Sequence, residues 1–391
     1  MWYNTTNMEK AVVLGAGVSG MAAADLLRRR GWSATVLDKD DAFEPDGEAL
    51  VVASPGVPLD HPWQAAARAA GIKVVSELQL GAWNWKGKIL AVTGSKGKSS
   101  VVKLVQDGLV AAGRRAVACG NYGTPLCRVV LDAEDAVRDG KEPPIWAVVE
   151  VSSFQMETSD DFHPDAAACL NLQEDHLDRH GSVEVYHALK RKLLSGAKCV
   201  VDADDAFDAL LAGSYFDNRI LRRNGELAAA LMRFAGLDDG EIARAFRDFK
   251  PLPHRMQLVA EIDGVRYVDD SKATSLDALA AGVEMAGGRV RLIAGGLPKG
   301  DDPKKIIYCL QNRVEKVYLI GTGQNRFCEA WRDVVECELC DTLERAVASA
   351  KRDAARGETV LLSPGAASFD QFRNYGARGD AFAMYAKEKT K

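Results

Sequence analysis

The sequence predicts an α/β protein built on mostly parallel sheets. Short apolar runs end repeatedly in glycine-rich or polar loops, and helical patterns follow those loops. A strand that passes through such a loop into a helix is the repeating unit of parallel sheets. The length of 391 residues exceeds that of one ordinary core, so two or three domains are expected. The order of strands, loops and helices along the chain predicts three, at residues 1–87, 88–250 and 251–391.

Composition and charge exclude several classes of protein. The chain has 47% hydrophobic residues, 27% charged residues and a formal net charge of −5, with no basic stripe. We therefore expect a globular protein without a nucleic-acid partner. Eight scattered cysteines and the lack of a long apolar span predict reduced thiols, a cytoplasmic location and no membrane partner.

The first predicted domain has the pattern of a dinucleotide-binding unit. The strand Ala11–Leu14 runs into Gly15-Ala16-Gly17-Val18-Ser19-Gly20 and a helix, and the next strand, Ala34–Leu37, ends at Asp38. This G-x-G-x-x-G pattern with a following acidic residue predicts a Rossmann-like domain. A nicotinamide-dependent oxidoreductase is one open alternative, because the same glycines can hold any diphosphate at a helix N-terminus. A further strand, Leu50–Ala53, ends in a second candidate diphosphate loop, Ser54-Pro55-Gly56.

The second predicted domain opens on a phosphate-binding loop. The strand Ile89–Thr93 leads into Gly94-Ser95-Lys96-Gly97-Lys98-Ser99-Ser100 and a helix. The two glycines let backbone N–H groups turn inward, Lys98 supplies a charge for the phosphates, and the Ser99 hydroxyl can ligate Mg²⁺. Val92 stands where the general pattern has a glycine, so the match is partial. We predict a P-loop ATPase-like domain, with an ordinary glycine-rich turn as the alternative.

Two more apolar strands bring ligand-type side chains to the same sheet edge. Ile145–Val149 ends at Glu150, a candidate carboxylate for magnesium, although a solvated acid at a strand end is the alternative. Ala166–Leu170 leads into a polar segment that contains His176. A single histidine is as readily a structural residue as a ligand. On the following helix, spacing alone does not distinguish Lys190 from Lys192.

The remaining segments complete the predicted architecture. We expect a surface connection at Asp132–Pro144, a strand at Lys198–Val201 and a helix-rich region at Phe207–Phe249, whose main break is Arg222–Gly225. The third domain alternates strands and helices, which predicts a second Rossmann-like sheet. Its predicted strands are Arg266–Val268, Val290–Ala294, Lys316–Ile320 and Thr359–Leu362.

Six motifs occur in order along the three predicted domains. They are Thr93-Gly94-x-x-Gly97-Lys98-Ser99, Glu150-Val151-Ser152-Ser153-Phe154-Gln155, Asp175-His176-Leu177-Asp178-Arg179, Pro253-His254-Arg255, Asp270-Ser271-Lys272-Ala273-Thr274 and Ser368-Phe369-Asp370-Gln371-Phe372. In this combination the chain resembles the Mur ligases of bacterial peptidoglycan synthesis. The second and sixth motifs are most similar to those of the D-glutamate-adding member. Another Mur ligase or a folylpolyglutamate synthetase is the alternative within the superfamily.

The resemblance implies an ATP-dependent ligase that forms an amide through an acyl phosphate. Its partners would be UDP-N-acetylmuramoyl-L-alanine and D-glutamate, its cofactors ATP and two Mg²⁺ ions, and the protein would be a monomer. A carboxylate that attacks a phosphate is an anion approaching an anion, so the site must supply cations.

The resemblance also implies roles for individual residues. Lys98, His176 and Lys190 would be catalytic, and Ser99, Glu150, His176 and Lys190 would hold the metals, with Lys190 carbamylated so that it faces magnesium as an anion. ATP contacts would be Gly94, Ser95, Lys96, Gly97, Lys98, Ser99, Ser100, Arg255, Asp270 and Lys272. The UDP-substrate would contact Val18, Ser19, Asp38, Ser54, Pro55, Gly56, Asn121 and Ser152. D-Glutamate would contact Thr274, Lys299, Ser368 and Tyr375.

One region departs from the family pattern. Mur ligases usually carry a longer segment before a His-Asn motif, and an asparagine after that motif approaches adenine. Here residues 202–230 are short and contain Arg223-Asn224-Gly225-Glu226-Leu227, with Leu227 at the position of the later asparagine. A non-catalytic nucleotide-binding homologue is therefore a further alternative.

Overall fold

The computed structural model describes residues 8–39 and 41–388, which form two compact units that divide between Phe249 and Lys250. Residues 1–7 and 389–391, at the ends of the first and third predicted domains, lie outside the described residues. Along the described part of the chain, no helix combines the length and the apolar character needed to cross a membrane.

The first unit begins with a parallel sheet of four strands in the order β2-β1-β3-β4. Helix α1 begins within the segment Gly15–Gly20 and buries alanine and leucine side chains against the sheet. The elements are β1 (Lys10–Leu14), α1 (Val18–Arg29), β2 (Ser33–Leu37), β3 (Leu50–Ala53), α2 (Pro62–Ala69), β4 (Lys73–Ser76) and α3 (Glu77–Asn84).

The same unit contains a second parallel sheet of four strands, in the order β6-β7-β5-β8. Its middle strands are buried along almost their whole length, as expected for strands that helices cover on both faces. The strands are β5 (Lys88–Thr93), β6 (Ala116–Gly120), β7 (Trp146–Glu150) and β8 (Ala166–Cys169). The helices are α4 (Lys98–Ala111), α5 (Leu126–Arg138), α6 (Ser153–Met156), α7 (Leu177–His180), α8 (Val183–Gly196), α9 (Asp208–Leu211), α10 (Arg222–Phe234) and α11 (Asp239–Asp248), with a 3₁₀ turn at Asp205–Phe207.

The second unit is built on a six-stranded sheet in the order β13-β12-β11-β14-β10-β9. All neighbouring strands are parallel except β9, which runs antiparallel to β10 at one edge. The strands are β9 (Gln257–Ile262), β10 (Val265–Asp269), β11 (Val290–Gly295), β12 (Val314–Ile320), β13 (Glu336–Asp341) and β14 (Thr359–Leu362). The helices are α12 (Leu276–Ala286), α13 (Ile307–Arg313), α14 (Gln324–Trp331), α15 (Leu343–Asp353) and α16 (Tyr375–Lys387), with a 3₁₀ turn at Pro303–Ile306.

The predicted fold class is confirmed, and three local predictions are wrong. Much of the expected surface connection at Asp132–Pro144 belongs to α5, whose charged residues face solvent while Leu126 and Val130 face two different cores. The expected strand at Lys198–Val201 makes only a single bridge, between Val200 and Ala167. The expected break at Arg222–Gly225 is the start of α10. The division of the first unit at residue 87 stays a prediction.

A buried carboxyl group lies where α3 meets α5. Glu77 is 1% exposed, and its Oε1 accepts a 2.6 Å hydrogen bond from the backbone N–H of Cys127. Burial raises the pKa of Glu77 to about 7, although the hydrogen bonds from Cys127 oppose that rise. From about pH 4.5 to pH 7 the unfolded chain therefore ionises Glu77 while the folded chain keeps it protonated. The free energy of unfolding falls as the pH rises through this range.

We predict that Glu77→Gln stabilises the first unit at pH 8 by about 2–3 kcal/mol, because the neutral amide avoids the cost of ionising a buried group. The midpoint of thermal unfolding should rise at pH 8 and change little at pH 4.5. The control is Glu134→Gln on α5, because Arg30 lowers the pKa of Glu134 and that variant should lose stability at pH 8. An equal shift for Glu77→Gln at both pH values would contradict the prediction.

Candidate functional site

The phosphate loop of the first unit connects β5 to α4 and takes a conformation that favours glycine. Gly94 and Gly97 have φ values of 145° and 86°. A Cβ atom on Gly97 would lie 2.4 Å from Nδ2 of Asn224, a buried residue of α10. Both the backbone angle and this close approach therefore require glycine at Gly97. Sequence reasoning gave Asn224 no role, because contact between distant segments leaves no signal in spacing.

Two lysine side chains converge on one carbonyl oxygen of this loop. Lys98 Nζ donates to Gly94 O at 2.8 Å, and Lys190 Nζ on α8 donates to the same oxygen at 3.0 Å. Lys190 is 1% exposed and its Nζ lies 4.4 Å from the centroid of the Tyr186 ring. Burial, together with the nearby charge of Lys98, lowers the pKa of Lys190 to about 8. By contrast, Lys192 lies closer to solvent and donates to Met156 O at 2.8 Å.

Glu150 lies at the carboxyl end of β7, next to the strand that precedes the phosphate loop. Its side chain is 3% exposed. Oε1 accepts a 2.6 Å hydrogen bond from Asn121 Nδ2, whereas Oε2 is buried with no hydrogen-bond partner among the described residues. A buried carboxylate oxygen without a donor is costly unless a cation compensates it. The two predicted residues Asn121 and Glu150 are thus brought together.

The segment after β8 holds the phosphate loop in place. Asn171 Oδ1 accepts hydrogen bonds from the backbone N–H groups of Ser95 and Lys96, at 3.1 and 2.9 Å. The Ser95 hydroxyl bonds to the backbone of Gln173 and accepts from Tyr186 OH at 3.1 Å. Ser95 is therefore engaged inside the protein. Lys96 Nζ pairs with Asp175 Oδ2 at 2.9 Å.

His176 is the N-cap residue of α7 and has a left-handed backbone, φ 55°, and its side chain is about half exposed. Its ring lies 4.8 Å from that of Phe154 and 6.1 Å from that of Tyr186. Partial burial lowers the pKa of His176, which favours the neutral imidazole that binds metals. Within residues 8–39 and 41–388, no three His, Cys, Asp or Glu side chains gather into a metal-binding group.

The other predicted contacts of the first unit lie on its loops. Val18 and Ser19 begin α1, where Val18 is 77% exposed and no side chain caps the helix. Ser54 Oγ donates to Gly15 O at 3.1 Å, so the loop with Pro55 and Gly56 is tied to the first glycine loop. Asp38 is exposed after β2. Ser152 caps α6 through Gln155, so its hydroxyl already has a local partner.

In the second unit, two of the three predicted ATP contacts, Asp270 and Lys272, follow β10. Asp270 is buried, with oxygens that accept from Met256 N–H at 3.2 Å and from Ser363 Oγ at 2.9 Å. Burial raises the pKa of Asp270 to about 7. Lys272 Nζ lies 4.0 Å from the centroid of the Tyr375 ring. Arg255 is partly buried on the loop before β9.

Among the residues of the second unit that are predicted to contact D-glutamate, two lie close together. Lys299 Nζ donates to Thr274 Oγ1 at 3.4 Å, while Ser368 is buried. Sequence reasoning missed Arg378, which is 1% exposed and donates to Ser271 Oγ at 2.9 Å and to Ala366 O at 3.2 Å. Burial lowers the pKa of Arg378 to about 10. In the sequence, Arg378 is marked only by its position one helical turn after Tyr375, a predicted D-glutamate contact.

Three family models match the chain. Residues 92–221 match the Mur ligase middle domain, and residues 254–366 match the Mur ligase glutamate ligase domain. Residues 13–71 match an NAD(P)-binding Rossmann-like domain.

Curated relatives match along nearly the whole chain. UDP-N-acetylmuramoylalanine--D-glutamate ligase from Acidobacterium capsulatum is 34% identical over 446 residues, with 96% of this chain and 95% of the relative covered. The proteins of the same name from Nitratidesulfovibrio vulgaris strain DP4 and Thermobifida fusca are each 36% identical, covering 95% and 96% of this chain and 94% and 97% of the relative. Because these alignments are longer than the chain, the relatives contain segments that it lacks.

Solved structures share the fold at low sequence identity. A MurF ligase from Thermotoga maritima in complex with ADP is 15% identical with a TM-score of 0.59, covering 97% of this chain and 95% of that chain. The UDP-N-acetylmuramate-alanine ligase of the same organism is 15% identical with a TM-score of 0.55, covering 92% of this chain and 96% of that chain.

Proposed function

The chain belongs to the Mur ligase family, and we propose that it joins D-glutamate to UDP-N-acetylmuramoyl-L-alanine at the expense of ATP. The substrate names come from the curated relatives, which are named as D-glutamate ligases and match this chain over nearly their full length. The observation that carries the proposal is the charge pattern of the first unit. Two lysine ammonium groups meet at Gly94 O, and the sheet edge beside that loop holds a buried carboxylate oxygen of Glu150 that has no hydrogen-bond partner in the described part of the chain.

These residues suit phosphoryl transfer to a carboxylate. The alanyl carboxylate attacks the γ-phosphorus of ATP, an O–P bond forms, and the bond to ADP breaks to give an acyl phosphate. The amine of D-glutamate then attacks the acyl carbon and expels phosphate. Lys98 and the N-terminus of α4 would offset negative charge on the nucleotide, because both present positive charge at the phosphate loop. The first predicted domain would hold the UDP moiety through Val18, Ser19, Asp38, Ser54, Pro55 and Gly56.

The buried oxygen of Glu150 fits a divalent cation. Glu150 and Ser99 would hold one Mg²⁺ together with phosphate oxygens and water, which is the usual composition of a magnesium site. His176 and a carbamylated Lys190 would hold the second. Mg²⁺, when bound, neutralises phosphate charge. Asn121 fixes the other oxygen of Glu150, and we place both Asn121 and Ser152 beside the muramoyl-alanine part of the substrate.

We propose that Lys190 is carbamylated, as the family resemblance implies, and its surroundings support this. A lysine reacts with CO₂ only as the neutral amine, which loses a proton as the N–C bond forms. Burial and the nearby charge of Lys98 favour that neutral form. The product is an anion, which would remove the repulsion between two ammonium groups at Gly94 O and allow Lys190 to face a metal.

For the second unit we propose two sets of contacts. Arg255, Asp270 and Lys272 would contact ATP. Lys299 would pair with a carboxylate of D-glutamate, and its hydrogen bond to Thr274 supports their joint role. Ser368 and Tyr375 would complete the amino-acid site. We further propose a cytoplasmic monomer with three domains.

A non-catalytic nucleotide-binding homologue is the second candidate. Leu227 stands where other Mur ligases have the asparagine that approaches adenine. Its side chain is 1% exposed and packs in the core between α10 and the second parallel sheet. A polar contact to adenine from this position is therefore absent. The protein would then bind ATP and the UDP-sugar without releasing phosphate.

The direct test is phosphate release in the presence of ATP, Mg²⁺, UDP-N-acetylmuramoyl-L-alanine and D-glutamate. We expect release that depends on both substrates and is lost when L-glutamate replaces D-glutamate. Lys98→Ala should reduce turnover at least about 1,000-fold, because charge stabilisation of phosphate is lost. Lys103→Ala, on the same helix but paired with Asp107, should retain activity. No release by the wild-type protein would favour the non-catalytic homologue, and release with another amino acid would favour a different ligase.

Removal of CO₂ should inactivate the enzyme, and bicarbonate should restore activity. At constant dissolved CO₂, the rate of recovery should rise about fivefold from pH 7 to pH 8, following the neutral fraction of a group with a pKa near 8. ¹³C-labelled bicarbonate should give a carbamate NMR signal that Lys190→Arg abolishes and Lys192→Arg retains. An active enzyme without that signal would contradict the proposal.

A further inference from the structure

Arg179 links two loops that lie far apart in the sequence. It lies on α7, and its guanidinium reaches the loop that follows β3 in the first sheet. Its Nη2 donates to Val57 O at 3.1 Å and to Pro55 O at 3.4 Å. The acceptors are backbone carbonyl groups, so the contact fixes the path of the loop whatever side chains the loop carries.

The guanidinium is itself held rigidly. Arg179 Nε and Nη2 donate to the two carboxylate oxygens of Glu157, at 3.0 and 2.6 Å. The side chain of Arg179 is 15% exposed and that of Glu157 is 4% exposed, so water screens this ion pair poorly. The guanidinium carbon lies 5.2 Å from the centroid of the Phe154 ring. A bidentate, largely buried arginine beside an aromatic ring has little freedom, and lysine cannot reproduce this arrangement.

The loop that Arg179 holds is also tied to the first glycine loop. Val57 O accepts a second hydrogen bond, from Gln64 Nε2 at 3.0 Å. On the other side, Ser54 Oγ donates to Gly15 O. The contacts therefore run from Glu157 through Arg179 and residues 54–57 to the start of the glycine loop. Movement of the guanidinium would disturb both candidate diphosphate loops of the first sheet.

We infer that Arg179 is a positioning residue for the UDP-substrate. It serves this role by fixing the loop Ser54–Val57 to helix α7. This inference rests on the proposed function, because it assumes that this loop holds the UDP moiety. It assigns Arg179 an effect on binding of the sugar nucleotide, without contact between the guanidinium and the reacting atoms.

A competing role can be separated from this one. The backbone N–H of Arg179 donates to His176 O at 3.1 Å, so the side chain could instead matter only by holding α7 and His176. If Arg179 acts through His176, loss of the guanidinium would weaken metal and ATP binding. If Arg179 positions the loop, the same loss would weaken sugar-nucleotide binding. The two roles predict changes in different kinetic constants.

The test compares Arg179→Lys and Glu157→Gln with the wild-type protein. UDP-N-acetylmuramoyl-L-alanine binding without ATP is measured by titration calorimetry, and the KM for each substrate is measured by phosphate release. The matched control is Arg30→Lys, because Arg30 also makes two hydrogen bonds to a glutamate, Glu134, and joins α1 to α5 away from the ligand loops. Thermal unfolding midpoints establish whether each variant is folded.

We expect Arg179→Lys to weaken sugar-nucleotide binding about tenfold, through the loss of charged hydrogen bonds to the loop. The KM for that substrate should rise by the same factor, while kcat and the KM for ATP stay within about twofold of wild type. Glu157→Gln should act in the same direction, and Arg30→Lys should leave all these constants unchanged. Unchanged binding in both test variants, or an equal rise in the KM for ATP, would overturn this inference and leave the proposed function standing. Failure of the wild-type protein to bind the sugar nucleotide would overturn the proposed function as well.

Discussion

The charges around the phosphate loop are the constraint on which the central site depends. Lys98 and Lys190 donate to the same carbonyl oxygen of Gly94, so two positive groups share one acceptor. The neighbouring strand ends at Glu150, whose Oε2 is buried and receives no hydrogen bond from residues 8–39 and 41–388. Each feature costs free energy in the isolated protein, because burial disfavours charge and unpaired polar atoms. Anionic phosphates and a cation would relieve both costs, which is why the site suits a metal–nucleotide complex.

Parallel strand order explains why these residues meet. The strands β5, β7 and β8 are neighbours and end at one edge, so Gly94, Glu150 and the segment from Asn171 emerge side by side. The segment after β8 then hydrogen-bonds to the phosphate loop, and α8 returns Lys190 to the same carbonyl. The first sheet is bound into this arrangement by α5, which buries side chains in both cores. Fold and site therefore depend on the same elements.

Much of this arrangement is visible in the sequence, and the rest depends on long-range contacts. Apolar runs that end in glycines mark β1, β5, β11 and β14, because a buried parallel strand leaves a continuous hydrophobic signal. Spacing alone does not distinguish Lys190 from Lys192, and the resemblance favours Lys190. Their different burial depends on the packing of α8. The sequence does not predict α5 over its full length, because charged residues are more frequent than apolar ones in its second half. The hydrogen bonds of Arg179 go to backbone carbonyl groups, which have no residue signature.

The central claim is that the buried oxygen of Glu150 is a cation ligand. It is tested most directly by Mn²⁺ binding in the presence of ADP, followed by electron paramagnetic resonance, in the wild-type protein and in Glu150→Gln. Glu142→Gln, at an exposed glutamate, serves as the control. The account predicts that Glu150→Gln weakens Mn²⁺ binding at least about tenfold, because a neutral amide replaces a buried anionic ligand. Equal Mn²⁺ affinity in the wild-type and Glu150→Gln proteins would contradict it.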